Sequence, residues 1–567
     1  MNTRINILIF CLVLLSFFTH IYKLNRIPPG LDNDEVNKGY DAYSLLKTGR
    51  DQWGSLLPIY FKGFGDYRGE LYTYSLIPSI SYFGLSALSV RLPAVLISVF
   101  TILATILLGK KLFSTKTGLA AAFFLSNSPW FFGMTRIGVE APVAAFFMII
   151  GTTFFVYGLR DKKYFIVSSL SFILSVYMYH AHRIMVPFFI LCLIVIYYNR
   201  IKPVTKEHII AICLFLLCIV PLGLILVKGQ EQRRISQVLF TNDIGIINRI
   251  NEQRFWCEKE LGDGICKLVH NRVVDFSLVF VQNYVSHFSL NTLFLTGFET
   301  TLFVMPPGGL FLYSELPIFL LGFYLLIKKK TSEAVVCLMW LLLAPIPDSF
   351  TGIGHYHRFI LVFPSVQLIS GYGLAAITKR YKIVSFILVL LASIGLFVFW
   401  TKYFGPFRIQ YSRRSHYEYI PLFKKLFELS NKYSNIYISN AEYDTKHYIF
   451  YLFYKQYDPA QYQQKTDVDI EEEPGGWIRI KRIGKWHFIS SLPDWKTLPE
   501  NSLVVGGSNE FRGKKLQDFI NTKHLNDDEA FYMIRSCTAD EHQQYKELEK
   551  RAEVDKTVRL DPSHCYY

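Results

Sequence analysis

Long apolar stretches divide the first 400 residues of the chain. They recur from Ile5 to Trp400 and then stop. A helix of about 20 apolar residues crosses a hydrocarbon core about 30 Å thick. The pattern predicts about eleven transmembrane helices, at 5–22, 88–108, 118–134, 139–158, 164–180, 184–198, 208–227, 309–327, 333–346, 359–377 and 383–400. Because 333–346 is short for a full crossing, a count of ten or twelve also fits the pattern.

Lysine and arginine collect in every second short loop between these predicted helices. The basic loops contain Lys110, Lys111 and Lys116; Arg160, Lys162 and Lys163; Arg200, Lys202 and Lys206; Lys328, Lys329 and Lys330; and Lys379, Arg380 and Lys382. Short cytoplasmic loops are enriched in these residues, so the pattern predicts a multi-pass cell-membrane protein with a cytoplasmic N-terminus. The first apolar stretch is interpreted as a retained anchor, since no small-residue cleavage site follows it. These anchors account for most of the net charge of +15, which therefore does not indicate nucleic-acid binding.

Three polar segments are predicted on the extracytoplasmic side: the loops 23–87 and 228–307 and the tail 401–567. We therefore divide the chain into a membrane core, 1–400, and a small α/β domain, 401–567. The tail alternates a helical pattern at Tyr419–Lys432 with strand patterns at Asn435–Ser439 and Trp477–Ile483. Its acidic run at 467–473, next to Pro-Gly-Gly, predicts a solvated turn. In the loops, 71–83 is predicted to be an interfacial segment and 276–288 an amphipathic helix.

Four of the nine cysteines lie outside the predicted membrane spans, as Cys257 with Cys266 and Cys537 with Cys565. Pairing within each set suits an oxidising exterior, so two disulfides are predicted. The spacing between them is not typical of a zinc site, and a metal site is the weaker interpretation.

Ionisable residues collect at the predicted outer ends of the spans. They are Asp34, Glu35, Arg68, Arg136, Glu140, His180, His182, Arg183, His355, His357 and Arg358. Ionisable groups at membrane depth are costly and often functional. Sugar transfer from a phosphate leaving group needs a carboxylate to accept a hydroxyl proton and cations to stabilise the departing phosphate. Arginine suits the second task because its guanidinium binds phosphate oxygens in pairs.

Each of these residues also has a structural interpretation. Asp34 and Glu35 would be suited to cap a helix that begins near Val36. Arg136 and Glu140 are four residues apart and fit a helix-end ion pair. His180, His182 and Arg183 fit interfacial anchors. A metal at His355 and His357 is weakly supported, because no third ligand is near in sequence. We favour hydrogen-bonding or phosphate-facing roles for these histidines.

The residues from Pro28 to Glu35, with Gly39-Tyr40 and Thr48-Gly49-Arg50, resemble the first outer loop of the GT-C membrane glycosyltransferases. This superfamily includes the protein O-mannosyltransferases and the lipid A aminoarabinose transferases. The resemblance continues in order with Ser89–Pro93, Thr135-Arg136 with Glu140, Tyr179–Arg183 with Pro187, Gln282–Phe288, and Ala344–Pro347 with His357-Arg358. It covers about residues 5–400. One segment departs from the family, because Asp66-Tyr67-Arg68-Gly69-Glu70 lacks the two prolines that relatives commonly have after the cation.

The resemblance implies a polytopic helical GT-C fold and a polyprenyl-phosphate-linked sugar as donor. It further implies Asp34 as the catalytic base with Glu35 as its neighbour. The residues expected to bind the donor phosphate or substrate are Arg68, Arg136, Glu140, His180, Arg183, His357 and Arg358. We expect inverting transfer to an acceptor hydroxyl on a lipid, glycan or protein. No metal ligands are assigned, and the resemblance leaves open whether a divalent cation is a cofactor.

A transporter or flippase of lipid-linked saccharides is the alternative function. Such proteins typically have repeated halves and charges near the membrane midplane. This chain shows no internal repeat, and its charges collect at one predicted surface, which favours the transferase.

Overall fold

The computed structural model describes residues 3–65, 67–69, 71–227, 238–442, 446–473, 477–494, 498–511, 520–554 and 565. The helices of its first part are α1 Thr3–Ile21, α2 Asn33–Thr48, α3 Tyr72–Phe83, α4 Ala87–Leu112, α5 Thr115–Ser126, α6 Pro129–Met134, α7 Ala141–Gly158, α8 Tyr164–Met178, α9 His180–Ile196, α10 Tyr198–Ile201 and α11 Lys206–Val227. A helical segment of the second outer loop follows, with α12 Ile244–Leu261, α13 Asp263–Val269 and α14 Arg272–Ser286. The core ends with α15 Leu316–Lys329, α16 Ser332–Leu343, α17 Ile346–Ser349, α18 Ser365–Arg380 and α19 Lys382–Phe404.

Within the described residues, seven helical segments are long and apolar enough to cross a membrane. They are Thr3–Ile21, Ala87–Leu112, Ala141–Gly158, Lys206–Leu224, Ser332–Ser349, Phe359–Arg380 and Lys382–Phe404. The shorter helices α8 and α9 are apolar as well. The predicted fold class, a polytopic helical protein with a small C-terminal sheet, is confirmed.

Prolines break several of the predicted spans. The stretch predicted at 118–134 consists of α5 and α6, because Pro129 disfavours helical backbone at Ser128, whose side chain instead caps α6 by accepting from Phe131 N. The stretch predicted at 333–346 ends in a turn near Pro345 before α17. The segment predicted at 359–377 begins as a 3-10 turn and becomes an α-helix only after Pro364.

The predicted basic loops meet at one end of the helical bundle. Arg200 Nη1 lies 2.8 Å from a carboxylate oxygen of Glu333, and Lys162 Nζ donates to the carbonyl of Arg200 at 3.4 Å. Lys329 lies over the rings of Phe113 and Tyr372. The arrangement agrees with a common side for these loops.

The loop 23–87, which the sequence predicts to be outer and which we call the first outer loop, contains α2, a two-stranded hairpin and α3. Strands β1 Phe61–Lys62 and β2 Tyr67–Arg68 are antiparallel. The segment predicted to be interfacial is α3, which buries Tyr72, Leu76 and Ile80 in the core and leaves Tyr82 exposed. In the second outer loop, the helix predicted at 276–288 is confirmed as α14, and the predicted Cys257–Cys266 disulfide joins α12 to α13.

The C-terminal part begins with α20 Pro406–Ser412 and α21 Tyr419–Leu429, and its later helices are α22 His447–Lys455, α23 Pro459–Gln464 and α24 Ala539–Val554. The strands are β3 Asn435–Ser439, β4 Val468–Glu472, β5 Ile478–Ile483, β6 Trp486–Ile489, β7 Ser502–Gly507, β8 Ile520–Lys523 and β9 Glu529–Arg535. They form one sheet in the order β4-β5-β6-β3-β7-β9-β8, in which β3 runs parallel to both neighbours. The predicted Cys537–Cys565 disulfide is confirmed.

The prediction that the acidic run 467–473 is a turn was wrong. Most of the run forms strand β4. Strand β5 pairs with it antiparallel and supplies the compensating cations. Lys481 lies 2.9 Å from Glu471, and Arg482 lies 2.7 Å from Asp467. Opposite charges on neighbouring strands stabilise such a pairing. The predicted Pro-Gly-Gly turn, 474–476, lies outside the described residues.

The C-terminal sheet domain packs directly on the first outer loop. Gln463 Nε2 donates to hydroxyls of Ser44 and Thr48 at 3.0 and 2.9 Å. The Ile478 amide donates to the Phe64 carbonyl at 2.8 Å. These contacts place the sheet domain and the loop that carries α2 on the same side of the helical core.

Candidate functional site

The first turn of α2 carries three acidic residues with different environments. The helix begins at Asn33, earlier than expected, and Asp32 is its N-cap: the Asp32 carboxylate accepts from Glu35 N at 2.7 Å. Glu35 Oε2 in return accepts from Asp32 N at 3.3 Å, which completes a capping box. The predicted capping role thus falls to Asp32 and Glu35. Asp34 lies between them and is half-buried.

Glu35 is held by a buried arginine. Its carboxylate oxygens lie 2.8 Å from Arg91 Nε and 3.0 Å from Arg91 Nη2, and the Gly138 amide donates to it at 2.8 Å. The Arg91 side chain is 0% exposed and the Glu35 side chain is 1% exposed. A buried pair of this kind depends on complete hydrogen bonding of both ions. The Glu35 carboxylate therefore fixes the loop in place.

Arg136 forms hydrogen bonds to the backbone that leads from α1 into this loop. Its guanidinium donates to the carbonyls of His20 and Tyr22 at 2.5 and 2.9 Å and to that of Ile27 at 2.8 Å. The predicted Arg136–Glu140 ion pair is wrong, because residues 136–139 form a turn and do not share a helix face with Glu140.

Glu140 instead binds a lysine of α2. The distance from Lys38 Nζ to Glu140 Oε2 is 2.6 Å, and the Lys38 side chain is only 2% exposed. Lys38 lies one turn after Asp34 on the same helix. This ion pair therefore joins the helix that carries the acids to the start of α7.

The segment that contains His355, His357 and Arg358 is held by contacts with the Asp348 carboxylate. One oxygen of this carboxylate accepts from His355 N at 2.6 Å and lies 2.9 Å from His287 Nε2. Arg358 Nη1 donates to Thr351 Oγ1 at 2.8 Å and lies 3.8 Å from the other Asp348 oxygen. The structure thus brings together two segments that the sequence separates, α14 and the turn after α17.

Tyr356 connects this segment to the acids of α2. Burial raises the pKa of Tyr356, and the nearby carboxylates of Asp32 and Asp34 raise it further. Its ring contacts the ring of His357, with centroids 4.0 Å apart. The His-Tyr-His-Arg segment therefore lies within electrostatic reach of the first turn of α2.

Arg183 contacts the opposite side of the same loop. Its guanidinium lies over the Tyr60 ring, 5.5 Å from the centroid, and a Cβ added at Gly69 would come within 2.5 Å of Arg183 Nη2. His180 is half-buried at the start of α9, whereas His182 is buried and lies 2.7 Å from Ser175 Oγ. The backbone of Arg68 lies in β2, but its side chain, and Asp66 and Glu70, lie outside the described residues.

Several residues of the site were not predicted as site residues from the sequence, among them Lys38, Arg91, Asp348 and the cap Asp32. The pKa of Asp32 is raised to about 7 by burial and by the neighbouring charges of Glu35 and Asp34. The Asp-x-x-Glu spacing of a capping box could have identified Asp32. Lys38 has no such signal, because its partner Glu140 is 102 residues away.

The described residues contain one group with the composition of a metal site, Cys537, Glu541 and Cys565. Its two sulfurs are joined in a disulfide, so they cannot ligate as thiolates. This group therefore does not fit a metal.

Residues 71–225 match the model of the dolichyl-phosphate-mannose-protein mannosyltransferase family. The structure is similar to that of ArnT from Cupriavidus metallidurans bound to undecaprenyl phosphate, with a TM-score of 0.51, 10% identity, and coverage of 94% of this chain and 98% of ArnT. The chain has the GT-C fold. The GT-C resemblance seen in the sequence is thereby confirmed at the level of the fold.

Two other solved structures are more distantly similar. The oligosaccharyltransferase AglB from Archaeoglobus fulgidus, in complex with an inhibitory peptide and a dolichol-phosphate, has a TM-score of 0.46 and 15% identity. The match covers 79% of this chain and 63% of AglB, so the chain spans less than two thirds of that protein. The arabinofuranosyltransferase AftD from Mycobacteria has a TM-score of 0.45 and 9% identity, over 95% of this chain and 40% of AftD. No curated protein sequence matches the chain.

Proposed function

We propose that the protein is a membrane glycosyltransferase that moves a sugar from a polyprenyl-phosphate donor to an acceptor hydroxyl, with Asp34 as the general base. The observation that carries this proposal is the difference in environment between two neighbouring acids of α2, Glu35 and Asp34. Glu35 is buried and bound to Arg91, whereas Asp34 is half-buried beside Tyr356. Of these two acids, Asp34 is the less buried, which supports it as the one that exchanges a proton with a substrate.

The proposed phosphate-binding groups are cations that the sequence places in the candidate site. Arg183 approaches the loop from α9, and Arg358 approaches from the turn after α17. Arg68, His180 and His357 are further candidates from the sequence. Guanidinium groups aimed at the leaving phosphate stabilise charge that develops in the transition state. We assign Arg136 and Glu140 to support of this site, because their hydrogen bonds go to the backbone and to Lys38.

The proposed reaction is a single displacement. Asp34 takes the proton of the acceptor hydroxyl while the oxygen attacks the anomeric carbon of the sugar. The bond from that carbon to the phosphate oxygen breaks, and the polyprenyl phosphate leaves with the bonding electrons. One displacement inverts the configuration at the anomeric carbon. Positioned proton transfer of this kind contributes about 10²–10⁴-fold to the rate.

The matches support a lipid-phosphate donor in particular. ArnT was solved with undecaprenyl phosphate, and the matching family model is that of the dolichyl-phosphate-mannose-dependent transferases. We extend this donor class to the present chain. We further propose that the reaction takes place on the extracytoplasmic side, because the basic loops predict that the loop of α2 is not cytoplasmic.

The experiment uses the purified full-length protein in liposomes. Polyprenyl-phosphate sugars labelled in the sugar are offered together with an extract of envelope acceptors, and label in product is separated from label in the donor. The proposal predicts a labelled product whose anomeric configuration is opposite to that of the donor. Movement of intact donor across the bilayer without a product would support the flippase instead and overturn the proposal.

A further inference from the structure

His287 follows α14 directly, and its ring lies between two oxygen atoms. Its Nδ1 is 2.7 Å from the Asn283 carbonyl oxygen, and its Nε2 is 2.9 Å from an oxygen of the Asp348 carboxylate. Both oxygens accept hydrogen bonds and cannot donate them. Turning the ring over would place carbon atoms at both contacts, so this orientation is the one that forms hydrogen bonds. Each ring nitrogen of His287 is therefore matched to an acceptor.

A neutral imidazole has only one N–H group and can donate to only one of these oxygens. Two donated hydrogen bonds require a second proton on the ring. The same Asp348 oxygen also accepts from the His355 amide at 2.6 Å, as a carboxylate would. The geometry is therefore that of an imidazolium at His287 beside a carboxylate at Asp348.

The surroundings of the pair make each charge depend on the other. The His287 side chain is 0% exposed and the Asp348 side chain is 1% exposed. The His287 ring contacts the rings of Phe298 and Phe359. A lone charge in such surroundings is costly, whereas an ion pair with complete hydrogen bonds is tolerated. The two residues together carry no net charge.

This pairing determines what charge Arg358 presents. Arg358 Nη1 donates to the Thr351 hydroxyl at 2.8 Å, and its distance of 3.8 Å from Asp348 is too long for a hydrogen bond. With a neutral ring at His287, the Asp348 carboxylate would compensate the guanidinium. With an imidazolium there, the three residues carry one net positive charge. Arg358 is their most exposed member, at 16%.

We propose that His287 is a positioning residue, which carries a second proton, neutralises Asp348 and so leaves the positive charge of Arg358 for an anionic group of a substrate. His287 acts through Asp348 and does not touch the reacting groups. The assignment of this anion to the phosphate of a polyprenyl-phosphate donor rests on the proposed function. The second proton on His287 does not depend on it.

The first experiment separates the charge of His287 from its packing by means of three variants of the full-length protein. His287→Gln keeps a side-chain donor without a charge, so Asp348 should then compensate Arg358. Asp348→Asn keeps an oxygen for the backbone contact and removes the negative charge. In the double variant His287→Gln/Asp348→Asn, the charge of Arg358 is again uncompensated. The unfolding temperature of each variant is measured first.

Two lipids serve as probes, undecaprenyl phosphate and the uncharged alcohol undecaprenol. Binding of each is measured by native mass spectrometry of the protein released from detergent micelles. Glu333→Gln is the matched control, because Glu333 also lies beside an arginine but at the end of the bundle with the basic loops. It should bind both lipids as the wild type does.

We expect His287→Gln to bind undecaprenyl phosphate at least about tenfold more weakly than the wild type, as for loss of a charge-assisted contact. Asp348→Asn and the double variant should bind it nearly as tightly as the wild type, and undecaprenol should bind all variants equally. Wild-type affinity in His287→Gln overturns the proposal. A double variant that is folded but as weak as His287→Gln also overturns it, because packing alone would then explain the loss.

The second experiment detects the proton on the wild-type protein and therefore does not depend on the folding of any variant. Protein with 15N-labelled histidine is examined in liposomes by solid-state NMR at about pH 7.5, where an ordinary histidine, with a pKa of about 6.5, is mainly neutral. We expect a doubly protonated ring whose signal disappears in His287→Gln, or in Asp348→Asn if that variant alone is folded. A wild-type spectrum with only singly protonated rings overturns the proposal.

The two experiments also distinguish this proposal from the proposed function. Neither needs an acceptor or sugar transfer, so a failed transferase assay does not change their outcome. A doubly protonated ring in a protein that does not bind undecaprenyl phosphate would overturn the assignment of the anion to the lipid donor.

Discussion

The charged residues at the start of α2 differ in burial and in what their charges do. Glu35 and Lys38 are buried, and each is bound to a partner outside α2, Arg91 and Glu140. Asp34 is half-buried and lies within electrostatic reach of Tyr356, in the segment of His355, His357 and Arg358. The buried pairs fix the position of the loop, and we propose that the less buried Asp34 acts on a substrate.

This difference shows why a charged residue at a membrane surface does not identify its own role. A buried ion depends on its partner for stability, so its removal is expected to change folding. A half-buried ion keeps part of its contact with solvent, so its removal is expected to cost less stability. The roles of the buried pairs and of Asp34 can therefore be separated by measuring stability and activity on the same variants.

The largest effect is expected for a buried pair, with Arg91→Met. The Glu35 carboxylate would remain buried without its partner, and the free energy of unfolding should fall by about 3–5 kcal/mol. Denaturant unfolding in detergent micelles measures this loss. Arg200→Met is the matched control, because the Arg200–Glu333 pair is much more exposed, 55% at Arg200, and should contribute about 0–1 kcal/mol. Similar losses of unfolding free energy for Arg91→Met and Arg200→Met would contradict a stabilising role for the buried Arg91–Glu35 pair.

A smaller effect is expected for Lys38→Met. The Glu140 carboxylate would lose its lysine partner but keeps 14% exposure, so the loss of stability should be about 2–3 kcal/mol. The double variant Lys38→Met/Glu140→Gln should lose less than the two single variants together, because no charge is left unpaired. Strictly additive losses in the same unfolding assay would show that the two side chains do not interact.

The smallest effect concerns the cap, and it depends on pH. The pKa of Asp32 in the folded protein is about 7, above the value of about 4 in an unfolded chain. The folded state therefore binds an extra proton between these values, and stability should rise as the pH falls from 7 to 4. At this half-buried position we expect a change of about 1–2 kcal/mol. Asp32→Asn keeps a capping side chain but cannot titrate, so it should flatten this dependence. An equally steep pH dependence in both proteins would assign it to another group.

Much of the membrane core could be predicted from apolar stretches alone. The sequence also indicated the helix at 276–288 and both disulfides. The broken spans were missed because a window of apolar residues does not register Pro129 or Pro364, whose rings change the backbone of the preceding residue. The strand at Val468–Glu472 was missed because acidic residues are uncommon in strands. The sequence pattern does not show that Lys481 and Arg482 on the next strand compensate the acidic charges.

The sequence indicated which residues are candidates for the site more completely than it indicated their contacts. Family motifs placed Asp34, Arg183 and Arg358 among the candidates, and the structure brings Asp34 near Tyr356 and Arg183 against the same loop. The partners of Arg136 and Glu140 could not be predicted, because spacing of four residues implies a contact only on a continuous helix. Here the helix starts at Ala141.

The most direct test of this account compares Asp34→Asn with Glu35→Gln in one preparation each. The initial rate of sugar transfer from the labelled polyprenyl-phosphate donor and the unfolding temperature are measured together. Asp34→Asn should lower the rate by at least about 100-fold and leave the unfolding temperature at the wild-type value. Glu35→Gln should lower the unfolding temperature. Wild-type transfer by Asp34→Asn, or a loss of transfer accompanied by unfolding, would contradict the account.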